Sequence, residues 1–236
     1  LGRRQVWVAS WQTQLKGKMT MGHYHIVGRS GAGSLIAEFL LREANVSYAI
    51  SFPTSEEVKS PDFCAATPLG RIPILICPDG EQVFETLAII NHITTRFSGL
   101  APEAGTPQSD RYHQYMALLA TSVYPAYHRQ HHTKYYGDVT AAPSIQLMAQ
   151  AEQRIIFNHM EDILDPYICG KDLTAADFYF YMLSRWDLDK AAMREGRPKL
   201  NALLDEIRAR PSVDAVIAAQ PPRAKPDKRL GLTIGK

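Results

Sequence analysis

A chain of 236 residues is long enough for one large domain or two modest ones, each with its own buried core. With 45% hydrophobic and 21% charged residues it is neither disordered nor membrane-spanning, since no apolar run reaches the length a bilayer requires. The formal charge of +2 comes largely from Arg3, Arg4, Lys16 and Lys18, ahead of Met21, so nucleic-acid binding is not indicated. Cys64, Cys77 and Cys169 have no short repeated spacing, which argues against a disulfide framework or a Cys-rich zinc site and fits a reducing cytoplasm.

The first twenty residues lack an apolar signal-peptide core, and residues 1–21 read as an extension outside the fold. HYHIVG (23–28) then reads as a strand, RSGAGS as a turn and LIAEFLLREA as a helix. VSYAISF (46–52), rich in β-formers, is a second strand parallel to the first across that helical crossover. PDFCAATPLG reads as a short irregular helix and IPILIC (72–77) as a third strand. The link Pro78-Asp79-Gly80-Glu81 into QVFE favours an antiparallel hairpin, and the helix TLAIINHITTRF follows at once. This order predicts a thioredoxin-like α/β domain over 22–97, with a mixed four-stranded sheet covered on both faces.

Residues 98–109 hold Gly99, Pro102, Gly105 and Pro107 and read as a surface linker. Beyond them the apolar spacing is helical, as at Ile156, Met160 and Ile163, so 110–220 is an all-α bundle. Residues 221–236, with three prolines and five basic residues, read as a loosely held tail.

Three motifs carry a resemblance: TPLGRIPIL (67–75), FETLAII (84–90) and DLTAADF (172–178). Together they resemble the glutathione transferase family, over roughly 24–220. A trans proline opening a strand removes a ladder donor for nothing, whereas a cis Ile72–Pro73 bond turns the preceding backbone outward. By resemblance that backbone, at Ile72, pairs with the cysteinyl residue of glutathione like an added strand, with Gly33, Arg71 and Pro73 beside it. Glu85 and Thr86 stand where a strand gives way to a helix, so helix N–H groups would take the γ-glutamyl carboxylate and Glu85 its ammonium. Taken alone, Glu-Thr is simply a helix start. Thr174 and Asp177 form a capping box of the kind the family buries in its helical domain, with Leu173 and Phe178 as its hydrophobic staple.

The match departs at the thiol-activating position, which Ser, Tyr or Cys usually fills. GRSGAGSL (28–35) resembles the bacterial beta class, but Gly33 stands where that class has its cysteine, which excludes a mixed disulfide there. Aligned to the serine classes, the serine falls on Gly31, so Ser30 and Ser34 are equal candidates for the catalytic contact. Ser34 equally reads as a helix cap, Ser30 as an ordinary turn residue and Tyr24 as sheet packing. Tyr115, Met116, Tyr124, Tyr127 and His128, with Tyr112, are candidates for the second-substrate pocket, though the same residues suit a core. His128, His131 and His132 lack an acidic or Cys partner at fixed spacing, so no metal is expected.

The resemblance implies a homodimeric enzyme that activates glutathione, its co-substrate, for conjugation to a small hydrophobic electrophile. The alternative is a non-enzymatic binding scaffold on the same fold.

Overall fold

The computed structural model describes residues 22–67 and 69–222. The extension, and all but the first two residues of the tail, lie outside that range. Strand β1 (Tyr24–Val27) leads through a glycine-rich loop into helix α1 (Leu35–Glu43), followed by β2 (Tyr48–Ser51). Helix α1 ends where Asn45 turns into the left-handed region at φ 57°, a conformation Asn tolerates better than most side chains. Helix α2 (Pro61–Ala66) starts with proline at its first position, and the Ser60 hydroxyl caps it by accepting from the Phe63 N–H at 3.3 Å.

Strands β3 (Ile74–Ile76) and β4 (Gln82–Phe84) form the hairpin, and α3 (Thr86–Thr94) follows. Gly80 makes the turn at φ 89°, with its N–H donating to the Cys77 carbonyl at 2.9 Å. The sheet order is β2-β1-β3-β4, with β1 parallel to β2 and antiparallel to β3, as a thioredoxin-like unit requires. Side chains alternate along these strands, so Ile26 and Leu75 face α1 and α3 while Val27, Ile74 and Ile76 face Phe63 of α2. Both faces are covered, which is why the strands read as unbroken apolar runs.

The helical part comprises α4 (Pro107–Leu118), α5 (Tyr124–His131), α6 (Ala142–Ile163), α7 (Ala175–Ser184), α8 (Lys190–Arg194), α9 (Pro198–Ala209) and α10 (Pro211–Ala218). Helix α4 begins inside the stretch read as linker, because Thr106 caps it and Pro107 suits its first turn. The linker is also less superficial than its composition suggests: Leu100 is buried, and its carbonyl accepts from the Ala175 N–H at 2.8 Å. Helix α1 packs on α7 and α10 as well as on α3, so one apolar core runs through both parts of the chain.

At the start of α7 the capping box is present. Asp177 is fully buried and accepts from the Thr174 N–H at 2.8 Å, the Thr174 hydroxyl at 3.0 Å and the Ile168 N–H at 2.8 Å. Burial outweighs those bonds and lifts its carboxyl pKa to about 6.

Candidate functional site

A cleft of about 240 Å³ lies between the sheet domain and α5. Its sheet-domain wall contains Arg71, Ile72, Pro73, Glu85 and Thr86, five of the residues named from sequence. The Ile72–Pro73 bond is cis, and the β3 pairing registers begin at Ile74, so Ile72 lies just ahead of the ladder. The Arg71 N–H donates to the buried Thr67 hydroxyl at 3.0 Å, which fastens the loop before Ile72.

Glu85 is the residue before α3 and has φ 68° and ψ 125°, a left-handed conformation that costs a non-glycine residue about 1–3 kcal/mol. Such strain persists only where its surroundings enforce it, and here it carries the chain from β4 into α3. The result sets an exposed carboxylate beside the positive end of a helix, with Thr86 buried at the first helical position. The cleft can therefore offer an extended backbone, an anion-binding helix end and a carboxylate for an ammonium group.

The opposite wall contains Ala120, Tyr124, Pro125, His128, Tyr136 and Tyr179. His128 Nδ1 and the Tyr136 hydroxyl are 2.7 Å apart. Burial first, then the positive charges of His132 and Arg71, lower the His128 pKa to about 4, so its ring is neutral at neutral pH. Of the other two histidines, His131 contacts the Trp186 carbonyl at 2.7 Å and His132 packs against the His128 ring. Among the described residues no group of three or more His, Cys, Asp and Glu could hold a metal ion.

Several residues named from sequence stand elsewhere. Tyr115, Met116 and Tyr127 are buried in the helical core rather than on the cleft wall. The Tyr115 hydroxyl is 2.9 Å from His159 Nε2, and the Tyr127 hydroxyl donates to Asp187 at 3.2 Å. Tyr112 is in the core, and Tyr24 packs on His92 with its hydroxyl 3.2 Å from Nε2.

Neither serine faces the cleft. Ser34 is 1% exposed, and its hydroxyl both accepts from the Arg29 N–H at 3.2 Å and donates to the Arg29 carbonyl at 3.1 Å. It makes no cap bond to α1. It folds back over Gly28, where a Cβ would come within 2.4 Å of the Ser34 Cβ. Ser30 donates to the Pro221 carbonyl at 2.6 Å. Gly31, where the serine of other classes would fall, is buried at φ 65°, a conformation that disfavours a side chain. Its N–H donates to Gln220 Oε1 at 3.0 Å and its carbonyl accepts from Trp186 Nε1 at 3.0 Å.

Trp186, Tyr136 and Tyr179 were missed from sequence. The paired Tyr135-Tyr136 was a usable aromatic signal, but Tyr179 sits in the apolar helix α7 and Trp186 in the turn just after it, a stretch that reads only as core.

A thioredoxin-type sheet domain packed on a helical bundle, with the cleft between them behind a cis proline, defines the class. Comparisons with known proteins agree. The model of the glutathione S-transferase N-terminal domain matches residues 19–95, and that of a glutathione S-transferase C-terminal domain matches residues 129–220. The glutathione S-transferase GstA of Escherichia coli O157:H7 is 22% identical over 197 residues, covering 81% of this chain and 96% of its own.

Among solved structures, a glutathione transferase homologue from Sulfitobacter with bound glutathione superposes with a TM-score of 0.73 at 22% identity, covering 83% of this chain and 97% of that one. The glutathione S-transferase from Xylella fastidiosa gives a TM-score of 0.74 at 24% identity, covering 84% and 98%. The two domain models together span well over half of the sequence, and the chain belongs to the glutathione S-transferase family. At the level of that family it is a transferase enzyme.

Proposed function

We propose that the cleft binds glutathione in extended form and presents it as a thiolate to a small apolar electrophile entering beside α5. In this reading the backbone of Ile72 pairs with the cysteinyl N–H and C=O, while the start of α3 at Thr86 takes the γ-glutamyl carboxylate. Glu85 meets the γ-glutamyl ammonium, and Arg71 and Pro73 shape the intervening wall. The sulfur lone pair forms the new S–C bond as the bond to the leaving group breaks, and the leaving group departs with that electron pair. The thiol proton has by then passed to solvent.

The observation that carries the reading is the convergence of Ile72, Pro73, Glu85 and Thr86 on one cleft, with Glu85 held in a strained backbone at the helix start. Glutathione bound in the Sulfitobacter homologue supports the choice of ligand. Tyr136, Tyr179, Ala120 and Pro125 offer an apolar wall for the second substrate.

Assignment to the cytoplasm and to a homodimer belongs to the same proposal. Exposed Leu147, Met148 and Ile155 on α6 support self-association, because apolar side chains grouped on one helix gain by being covered. Isothermal calorimetry with glutathione tests the core of the reading. Glu85→Ala removes one charge-assisted contact, worth about 1.5–3 kcal/mol, and is expected to weaken affinity by roughly tenfold to a hundredfold. Absence of heat with the wild-type chain, together with no turnover across a broad panel of electrophiles, would end it.

A further inference from the structure

The position where the beta class carries its cysteine is occupied here by a buried glycine, yet the space beside it is bordered by a polar atom. A Cβ built on Gly33 would lie 2.7 Å from the Tyr124 hydroxyl, 3.6 Å from Pro73 Cδ and 3.6 Å from Thr86 Oγ1. In the peptide path proposed above, Pro73 adjoins Ile72 at the cysteinyl residue and Thr86 meets the γ-glutamyl carboxylate. The cysteinyl side chain of a tripeptide laid between them therefore comes to the same spot. The phenol that meets it belongs to the helical domain.

The local structure of the helix aims Tyr124 there. Between α4 and α5 the chain makes a π-helical turn, Leu119–Val123, immediately before Tyr124. Pro125 has no N–H to donate and its ring crowds the carbonyl four residues back, so a regular α-turn cannot continue through this point. The wider turn shifts the phase of the following residues, a device found often at functional sites. The ring is then held edge-on by Trp186, with centroids 5.2 Å apart and planes at 87°. Trp186 is in turn tied to the Gly31 carbonyl at 3.0 Å, so the glycine loop and the tyrosine share one support.

We propose that the Tyr124 hydroxyl, reaching across from the helical domain into the space left by Gly33, donates the hydrogen bond that stabilises the glutathione thiolate. This deepens the glutathione reading and rests on it. On binding, the thiol S–H bond breaks and its proton goes to solvent. Tyr124 keeps its own proton and donates O–H to the sulfur anion, leaving a sulfur lone pair for the electrophile.

Burial raises the phenol above its usual value, so it is a donor and not a phenolate at neutral pH. Three other hydroxyls near the loop or the cleft are engaged elsewhere: Ser34 with Arg29, Ser30 with Pro221, and Tyr136 with His128.

The test titrates the thiol of bound glutathione by the ultraviolet absorbance of the thiolate, with affinity measured in parallel by calorimetry. Tyr124→Phe should bind glutathione within about threefold of wild type, while the bound thiol pKa rises by about one unit, a loss of thiolate at neutral pH of up to about tenfold. Adding Gly33→Ser to Tyr124→Phe supplies a hydroxyl from the other side of the same space, and should bring the pKa back down by at least half of that rise. It also separates a lost hydroxyl from a damaged fold. An unaltered thiol pKa in Tyr124→Phe, with glutathione still bound, overturns the proposal and leaves the glutathione reading standing. A rise in Ser30→Ala or Ser34→Ala without one in Tyr124→Phe transfers the contact to serine and overturns it equally. No glutathione binding by wild type overturns both.

Discussion

Substituting Gly33 by alanine isolates the close approach between the glycine loop and Tyr124. Gly33 does not have a positive φ, so alanine there meets no backbone penalty, and the added methyl has one principal neighbour. That neighbour is the Tyr124 oxygen at 2.7 Å, whereas ordinary contact begins near 3.4 Å, so ring or loop must give by several tenths of an ångström. Overpacking of this kind costs about 1–3 kcal/mol. Against it, alanine stabilises by about 0.4–1 kcal/mol through the reduced freedom of the unfolded chain.

With Tyr124 in place, Gly33→Ala should therefore lower stability by up to about 2.6 kcal/mol. In a Tyr124→Phe background the clashing oxygen is absent, and the same substitution should raise stability by about 0.4–1 kcal/mol. Urea unfolding of the four proteins at one fixed concentration closes the cycle, with an expected coupling of about 1–3 kcal/mol. Coupling below about 0.5 kcal/mol, or alanine that stabilises both backgrounds alike, would refute the contact and the packing logic built on it.

Thr174→Ala removes the Thr174 hydroxyl from the buried Asp177 carboxylate, and should lower unfolding stability by about 1–2 kcal/mol while leaving glutathione affinity in the folded fraction intact. Glu38 on α1 is buried and bonded by Gln220 and Tyr48, yet burial dominates and lifts its pKa to about 7 from 4.5. Between those values the folded chain holds a proton that the unfolded chain has released, so stability from this group is full below about 4.5 and is lost as pH rises through about 7. Glu38→Gln should therefore gain on wild type by up to ~3 kcal/mol between pH 4.5 and 8, and a stability difference flat over that range in denaturant titrations would contradict the assignment.

The legible part of the molecule was local. The short apolar run at Ile74, Leu75 and Ile76, Gly80 at the hairpin, and Thr174 with Asp177 at a helix start each express a preference within a few residues, and the described fold shows all three. The same holds for the cleft wall formed by Ile72, Pro73, Glu85 and Thr86, because one hairpin carries them all. Helical spacing, by contrast, ran unbroken through residues 111–127 and concealed the π-helical turn before Tyr124. The fault there lies in backbone phase around Pro125, which side-chain periodicity does not report.

Sequence alone thus determined the two-part fold, and with the motif resemblance the sheet-domain side of the cleft, since turn, cap and strand preferences act over short stretches of chain. Tertiary structure alone decided which hydroxyl stands beside Gly33. Ser30 and Ser34 are near it in sequence, but the fold engages one with Pro221 and the other with Arg29. Packing of α5 against the sheet domain places Tyr124 in the vacant space instead, and such an encounter between distant segments has no counterpart in local sequence.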